Sequence, residues 1–374
     1  MTQTGHENGG GATGTTAAGL RPGAPGAPGA PAPQLTVVVA AYNAAAHVGR
    51  AIASVQAQDM ADWELICVDD GSTDGTFDVV KDLAAADPRI RGVRQENAGH
   101  PEARRVGYTQ GHGMYYIMLD SDDWVAPDFL SSLVEVAERE NADAVMSDMQ
   151  TLGPDGDWES FAGTRGLKQG DVYDGVEAFA LTFPWRAHGV CLWRGKLIRD
   201  HALDPVDTRN RFNGDEYLTR KLFLNCARVV VGPGKYFYES NPESLTRKPS
   251  PKHLYRLETN RRLTELARAA AVPQAVLARV IAHEGKGILE SVKLLARYGM
   301  FRRAGFALRE LAHSCRHYAG SLAASNSLHK LPAFVFKLVL AVLRGFFARF
   351  ALLRSAQRAL RRPAAPGAGK DLSA

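Results

Sequence analysis

Residues 35–40 read LTVVVA, a short β-branched run, which predicts a buried strand. Residues 45–57 then carry Ala, Val and Ile at helical spacing. WELICVD (63–69) predicts a second strand, TFDVVKDLA (76–84) a second helix, and IRGVR (90–94) another short strand. A helix is expected over 101–111, a strand at MYYIML (114–119), a helix from Pro127 to Arg139, and a strand at ADAVMS (142–147). Strands alternating with helices of about ten residues predict βαβ units, hence an α/β fold with a mostly parallel sheet flanked by helices. In such sheets ligands bind beyond the carboxyl ends of the strands. Three polar clusters fall there: Tyr42-Asn43 after the first strand, Asp69-Asp70-Gly71-Ser72 after the second, and Asp120-Ser121-Asp122-Asp123 after the fourth.

From 150 to 175 the chain is rich in Gly and Asp and reads as a loop or insertion. Residues 185–245 mix strand and helix patterns and hold a further acidic pair, Asp215-Glu216. After Pro251 the segments 255–271, 275–297 and 301–317 are rich in Ala, Leu and Arg and predict helices, with a last one between Pro332 and Pro363. The expected division is therefore a Gly/Pro/Ala-rich tail over 1–34, an α/β domain over 35–250, a helical extension over 251–362 and a flexible tail over 363–374.

Charge sharpens this division. The net charge of +5 combines 22 basic and 6 acidic residues in 251–374 with 23 basic and 34 acidic residues in 1–250. An acidic front is joined to a basic back. The four cysteines form no C-x-x-C pair, which excludes a zinc site built on such pairs, and they read as reduced thiols. Neither a signal peptide in 1–34 nor a spanning helix is expected. The most apolar stretch, 331–353, is cut by Lys337, Arg344 and Arg349, and a span needs about 20 mostly apolar residues. The expected location is cytoplasmic, with peripheral attachment at the inner membrane face as an option.

LDSDDW (119–124) runs a buried strand into three carboxylates. Clustered negative charges repel, and Mg²⁺ or Mn²⁺ would relieve that repulsion through oxygen ligands. The plain alternative is a turn and helix N-cap ahead of Pro127. VDDGSTDGT (68–76) fits a base- or ribose-reading loop, but taken alone it reads first as an ordinary βα loop, in which Ser72 or Thr73 caps the helix and Asp74 sits in its first turn. No G-x-x-x-x-G-K-[ST] and no G-x-G-x-x-G after the first strand is present, so neither a P-loop nor a dinucleotide fingerprint is in play.

Taken together, VVVAAYNAAAHVGRAIASVQAQ, WELICVDDGSTDGT, QENAGHPEARRVGY and YYIMLDSDDW follow in order within 37–124. This series resembles the inverting, GT-A-fold glycosyltransferases of the family-2 type. The resemblance is strong over 35–150, weaker to about 246, and absent beyond. It implies that Ala41, Tyr42 and Asn43 flank a nucleobase, with Ala40 where proline is usual, and that Asp69 or Asp70 meets base and ribose. Asn97, Gly99 and Arg104 match the family's N-x-G-x-x-x-A-R block, with Arg104 offsetting diphosphate charge and Arg105 where Asn is common. Asp120 and Asp122 match the D-x-D pair, Asp120 with Ser121 near the ribose and Asp122 as the metal ligand for Mg²⁺ or Mn²⁺. In RNRFNGDEYLTRKLFLNCARVV (209–230) Gly214 replaces the first acid of an E-D motif, leaving Asp215 as the base and Glu216 as its neighbour; a bare N-cap is the alternative for Asp215. Ser244, Thr246 and Arg247 resemble a block that touches diphosphate or acceptor, and Lys196 resembles a lysine near the site. Trp124 and Trp185 read as packing residues and stay outside the site.

The resemblance implies non-processive transfer from a nucleotide-diphospho-sugar, most often UDP-linked, to a glycan or lipid-linked acceptor. A Q-x-x-R-W motif is absent downstream of Asp215, since the last tryptophan is Trp193. A nucleotide-sugar-binding protein and a nucleotidyltransferase on a related fold are the rival readings. For the basic back end, three readings compete: a helical cap with a solvated charged face, attachment of 332–362 to an anionic membrane, and nucleic-acid binding, which no recognised motif accompanies.

Overall fold

The computed structural model describes residues 32–153, 155–204, 214–239, 250–297 and 305–324. Nearly all of the predicted N-terminal tail, the predicted helix at 332–362 and the C-terminal tail lie outside the described residues. In chain order the elements are β1 (Leu35–Ala41), α1 (Val48–Gln56), β2 (Trp63–Asp69), α2 (Thr76–Ala86), β3 (Ile90–Arg94), α3 (His100–Gln110), β4 (Tyr115–Asp120), β5 (Trp124–Val125), α4 (Phe129–Arg139) and β6 (Ala144–Leu152). There follow β7 (Trp158–Ser160), β8 (Val172–Tyr173), α5 (Gly175–Leu181), β9 (Cys191–Arg194), α6 (Gly195–His201), α7 (Gly214–Leu224), β10 (Val229–Tyr238), α8 (Tyr255–Ala269), α9 (Gln274–Arg297) and α10 (Gly305–Ala324).

The sheet runs β3-β2-β1-β4-β9-β6-β10-β5, with β7 on β6 and β8 on β10. β3, β2, β1 and β4 are parallel, as the alternating pattern predicts. β9 inserts antiparallel between β4 and β6, which keeps β4 and β6 parallel to each other. The segment 150–175 is not a plain loop, because β7 folds back on the end of β6. The α2 cap also differs from expectation. The helix begins at Thr76, and neither Ser72 nor Thr73 caps it. Instead the Ser72 hydroxyl accepts from the Asn43 N–H (2.9 Å), so its oxygen joins two loops.

Alternation along β1 explains the layering. Val37, Val39 and Ala41 enter a core with Val48, Ile52 and Leu133, while Val38 enters a core with Tyr116, Phe179 and Trp193. Residues two apart share a sheet face, so both faces of this central strand are buried. Leu263 and Ala267 of α8 join the second core and bring the C-terminal helices against α7. Those helices have a core of their own, with Leu257, Ile281, Ile288, Leu311 and Cys315. Buried within it, Glu284 accepts from the Thr264 hydroxyl (2.7 Å) and pairs with His317 Nδ1 (2.8 Å). Burial pushes the Glu284 carboxyl up, against the pull of both partners. Among the described residues no helix is long and apolar enough to cross a membrane.

Candidate active site

The site assembles where β1, β2 and β4 end together. In register, Ala41 stands beside Asp69 and Ala40 beside Asp120, so two carboxylates flank the end of β1. Tyr42 then projects, half exposed. Asn43 takes a positive φ of 49°, tolerable for Asn. Its side-chain oxygen accepts from the Thr73 N–H at 2.9 Å, locking the β1 loop to the β2 loop.

Asp69 and Asp70 divide their work. Asp69 is fully buried, and its Oδ1 accepts from the Ser72 N–H at 3.2 Å. Arg94 Nε lies 3.2 Å from Oδ2 without completing a hydrogen bond to it, so one acceptor of this carboxylate is unfilled. Asp70 turns toward the next loop. It accepts from Gln95 Nε2 (2.7 Å), Ala98 N–H (2.8 Å) and Gly99 N–H (2.8 Å). Asn97 donates back to the Asp70 carbonyl at 3.0 Å. Asp70, Asn97 and Gly99 thus build the loop that leads into α3. Gly71 is required beside them. Its φ is +74°, and a Cβ there would lie 2.8 Å from the Asn97 nitrogen.

Arg104, near the start of α3, links the clusters that the sequence separates most widely. It is buried, and its Nη2 donates to Asp120 Oδ1 at 2.8 Å. Its Nη1 lies 3.5 Å from Asp215 Oδ2 and completes no hydrogen bond. His100 Nε2 approaches the same Asp120 oxygen at 3.5 Å. Burial alone would raise Asp120, but the charges of Arg104 and His100 outweigh it and hold the carboxyl well below the usual range. The neighbouring Arg105 faces outward and pairs with Glu102 (2.8 Å), so its departure from the family's Asn falls outside this network.

The three-carboxylate cluster at 120–123 is split rather than shared. Asp123 is fully buried and points inward, accepting from the Tyr236 hydroxyl (2.6 Å) and the Glu239 N–H (2.9 Å). Burial, then the charge of Asp120, push its carboxyl up to about 8. The Tyr236 hydroxyl also accepts from the Asp120 N–H at 3.1 Å, so β10 supports both ends of the turn. Sequence reasoning missed this role. Neither acid caps a helix, since α4 begins only at Phe129 after Asp128. Arg50 donates to the Asp122 carbonyl, pairs with Glu239, and lies 4.1 Å over the Trp124 ring. Phe237 stacks on Trp124 at 5.4 Å, so Trp124 packs as expected.

Asp215 lies in the first turn of α7, where the negative charge meets the positive helix end. Its Oδ1 accepts from the Glu216 N–H at 2.9 Å. Glu216 is turned to the buried Arg220 at 2.7 Å, which sets it apart from Asp215. Gly214 has a steric reason. A Cβ there would lie 2.7 Å from Pro101 Cγ, so the acid usual at this place would collide with α3. Lys196 is a correction. It follows β9, whose Arg194 pairs with Tyr115 at the amino end of β4, roughly 16 Å of strand from Asp120. There it pairs with Asp200, and the structure does not bring it to the cluster. Ser244, Thr246 and Arg247 lie outside the described residues. Among the described residues no group of three His, Cys, Asp or Glu is arranged as a complete metal cage. A cation that keeps water and substrate phosphate as ligands needs only one or two carboxylates, a number that the Asp120-Ser121-Asp122 turn would offer.

The loop between α5 and β9 rests on a buried histidine. His188 Nε2 meets the Ser147 carbonyl at 3.1 Å, and Nδ1 accepts from the Val190 N–H at 3.2 Å, which makes the ring neutral and Nε2-protonated. Burial lowers its pKa from 6.5 to about 4, and that of His283 likewise. The unfolded chain therefore binds protons in this window that the folded chain does not. The stability these rings contribute is whole above about pH 6.5 and is lost as pH falls toward 4, about 3 kcal/mol for His188. Urea melts of wild type and His188→Gln between pH 7 and pH 4.5 are expected to show a shallower pH dependence in the variant.

Residues 36–166 match the family model described as glycosyl transferase family 2. The succinoglycan biosynthesis protein ExoO of Rhizobium meliloti is 38% identical over 230 residues, 58% of this chain and 63% of that protein. Glycosyltransferase GlyA of Streptococcus pneumoniae is 28% identical over 258 residues, 63% of this chain and 35% of that protein. The chain thus spans from about a third to less than two thirds of the length of these curated relatives. Staphylococcus aureus TarS 1–349, solved with UDP-GlcNAc, superposes with a TM-score of 0.58 at 16% identity, covering 77% of this chain and 81% of that one. That likeness bears on the fold, which is the GT-A-like α/β arrangement expected from the sequence. The glycosyl transferase family 2 match therefore covers β1 through β7, the part of the chain that holds the strand-end cluster.

Proposed function

We propose that the protein transfers a glycosyl group, with inversion and one residue per encounter, from a nucleotide-diphospho-sugar to a hydroxyl of a glycan or lipid-linked acceptor. The observation that carries this reading is the buried Arg104, which donates to Asp120 at 2.8 Å and stands 3.5 Å from Asp215. It couples the strand-end cluster to a carboxylate from a distant helix. Such an arrangement suits a reaction in which donor and acceptor meet at one point. A uridine donor is favoured by the family resemblance and by the UDP-GlcNAc complex of TarS.

In this account Asp69, Tyr42 and the loop built on Asp70 receive the nucleoside, and Asp120 faces the ribose. Asp215 accepts the proton of the attacking hydroxyl as that oxygen bonds to the anomeric carbon and the bond to the diphosphate breaks. Arg104 fixes the separation between the donor end and the base. A divalent cation, Mg²⁺ or Mn²⁺, would be held by Asp122 and would supply charge neutralisation for the departing diphosphate. The nucleotidyltransferase and pure binding readings lack a use for Asp215. Nucleotide release from a panel of UDP-, GDP- and dTDP-sugars with Mn²⁺ tests the reading. Release from at least one donor is expected, and release from none contradicts it.

The basic segment 332–362 remains a proposed contact with anionic membrane, since the acceptor class includes lipid-linked glycans. Co-sedimentation with anionic vesicles that is undiminished when Lys337, Arg344 and Arg349 are replaced by Glu would remove that proposal.

A further inference from the structure

The loop between α5 and β9 ends at the active-site edge, and its geometry shows why. β9 is antiparallel to its two neighbours, with Trp193 opposite both Tyr116 of β4 and Ala144 of β6. Ser147 stands three residues beyond Ala144, and so is level with Leu119, next to Asp120. His188 is bonded to that Ser147 carbonyl. The loop ahead of β9 therefore emerges at the same sheet end as Asp120. The helices agree. Gly175 at the start of α5 abuts the carbonyls of Phe223 and Cys226 at the far end of α7. Thr182, just past the end of α5, accepts from Arg220 Nε at 2.9 Å. The chain after α5 thus climbs alongside α7 toward Asp215.

At the crest of this loop stands Trp185, with 44% of its surface exposed. Its backbone is tied down. The Trp185 carbonyl accepts from Arg165 Nε at 3.0 Å, and the N–H of the next residue, Arg186, donates to the Leu181 carbonyl at 2.9 Å. Its ring lies 5.5 Å from the Arg220 guanidinium, which is also 4.5 Å from the Phe183 ring. Arg220 is itself 1% exposed and is neutralised by Glu216, the residue after Asp215. The indole, the Arg220 guanidinium and the Glu216 carboxylate thus form a contiguous chain of contacts that ends one residue from Asp215. The other half-exposed tryptophan, Trp158, differs because its ring packs edge-on against both Trp124 and Phe237.

We propose that Trp185 is the platform of an acceptor-saccharide subsite, stacking its indole on the C–H face of a pyranose ring adjoining the one that carries the attacking hydroxyl. A rigid aromatic presents large apolar area at little entropic cost, and its N–H can serve a sugar hydroxyl. The buried cation behind the ring holds its orientation. A backbone pinned on both sides keeps the platform in place before the ligand arrives. The proposal rests on the reading of Asp215 as the base, because the subsite is defined by the chain of contacts that ends beside that residue.

The test uses the full chain, as wild type, Trp185→Ala and Trp185→Phe. The probes are the methyl glycosides and β-linked disaccharides of glucose, galactose and N-acetylglucosamine, added with the nucleotide sugar that the donor screen selects. Trp185→Ala is expected to raise the KM for acceptor about tenfold, with a smaller change in kcat, and Trp185→Phe to recover most of that loss. In ¹⁵N-labelled wild type, the indole N–H signal missing from Trp185→Phe is expected to move when the acceptor is added. Donor Kd is expected to be the same in all three proteins. An unmoved Trp185 signal across the whole panel, or equal acceptor KM in wild type and Trp185→Ala, overturns the subsite alone. Failure of wild type to bind or cleave any nucleotide sugar overturns the transferase reading, and the subsite with it.

Discussion

Asp215→Asn is expected to lower kcat by about 10²–10⁴-fold while leaving the Kd for donor within about twofold. The amide keeps the shape of the side chain and can still accept from the Glu216 N–H through its oxygen. It cannot take the proton of the acceptor hydroxyl. Donor affinity is spared because the strand-end groups sit on other elements, with Asp69 at the end of β2 and Asp120 at the end of β4. Glu216 is not a ready substitute, since its carboxylate is held by Arg220 at 2.7 Å. Steady-state kinetics with donor binding by calorimetry separates the two effects. Full activity in this variant would remove Asp215 from the role of base.

Asp122→Ala is expected to damage both parameters, with kcat down by about 10³-fold and donor affinity weakened about tenfold or more. Removing the side chain leaves in place the bond from Arg50 to the Asp122 carbonyl. Asp123 and Tyr236 continue to brace the turn from within. The loss should therefore fall on the diphosphate and its cation and not on folding. An unchanged Tm beside a lost Mn²⁺ dependence of donor binding is the expected pattern. A Tm drop with intact Mn²⁺ dependence would assign Asp122 a structural part instead.

Much of this site was legible because its parts are local. LTVVVA and WELICVD are mostly apolar runs that lead into the polar clusters Tyr42-Asn43 and Asp69-Asp70, and the structure ends β1 and β2 at Ala41 and Asp69. The Asp215 motif was placed at a helix start, and α7 begins one residue before it. What the sequence hid are choices made between distant segments. Asp69 and Asp70 look alike in sequence, yet only the path of the 95–99 loop determines that Asp70 is consumed by backbone N–H groups. Asp122 and Asp123 are likewise adjacent, and only Tyr236, more than a hundred residues away, draws Asp123 inward. Lys196 matched a pattern at the wrong end of the sheet because a strand inserted antiparallel reverses which end its successor occupies. Gly214 read as a lost acid, and its contact with Pro101 of α3 explains the loss.

The sparse helix caps had a similar limit. Ser72 and Thr73 are good N-cap residues, but the Ser72 hydroxyl serves Asn43, and α2 starts later at Thr76. A local preference yields when a tertiary partner offers the same group a bond that also joins two loops. Trp185 went the other way. In sequence it reads as packing, as most tryptophans do, and its exposure comes from its place in the loop between α5 and β9.

The central claim is in-line displacement at the anomeric carbon with Asp215 as base. The anomeric configuration of the first product tests it most directly, read by ¹H NMR coupling constants on the new glycoside before any equilibration. An α-linked nucleotide sugar is predicted to give a β-linked product in wild type, with the signal lost in Asp215→Asn. An α-linked product would contradict the account.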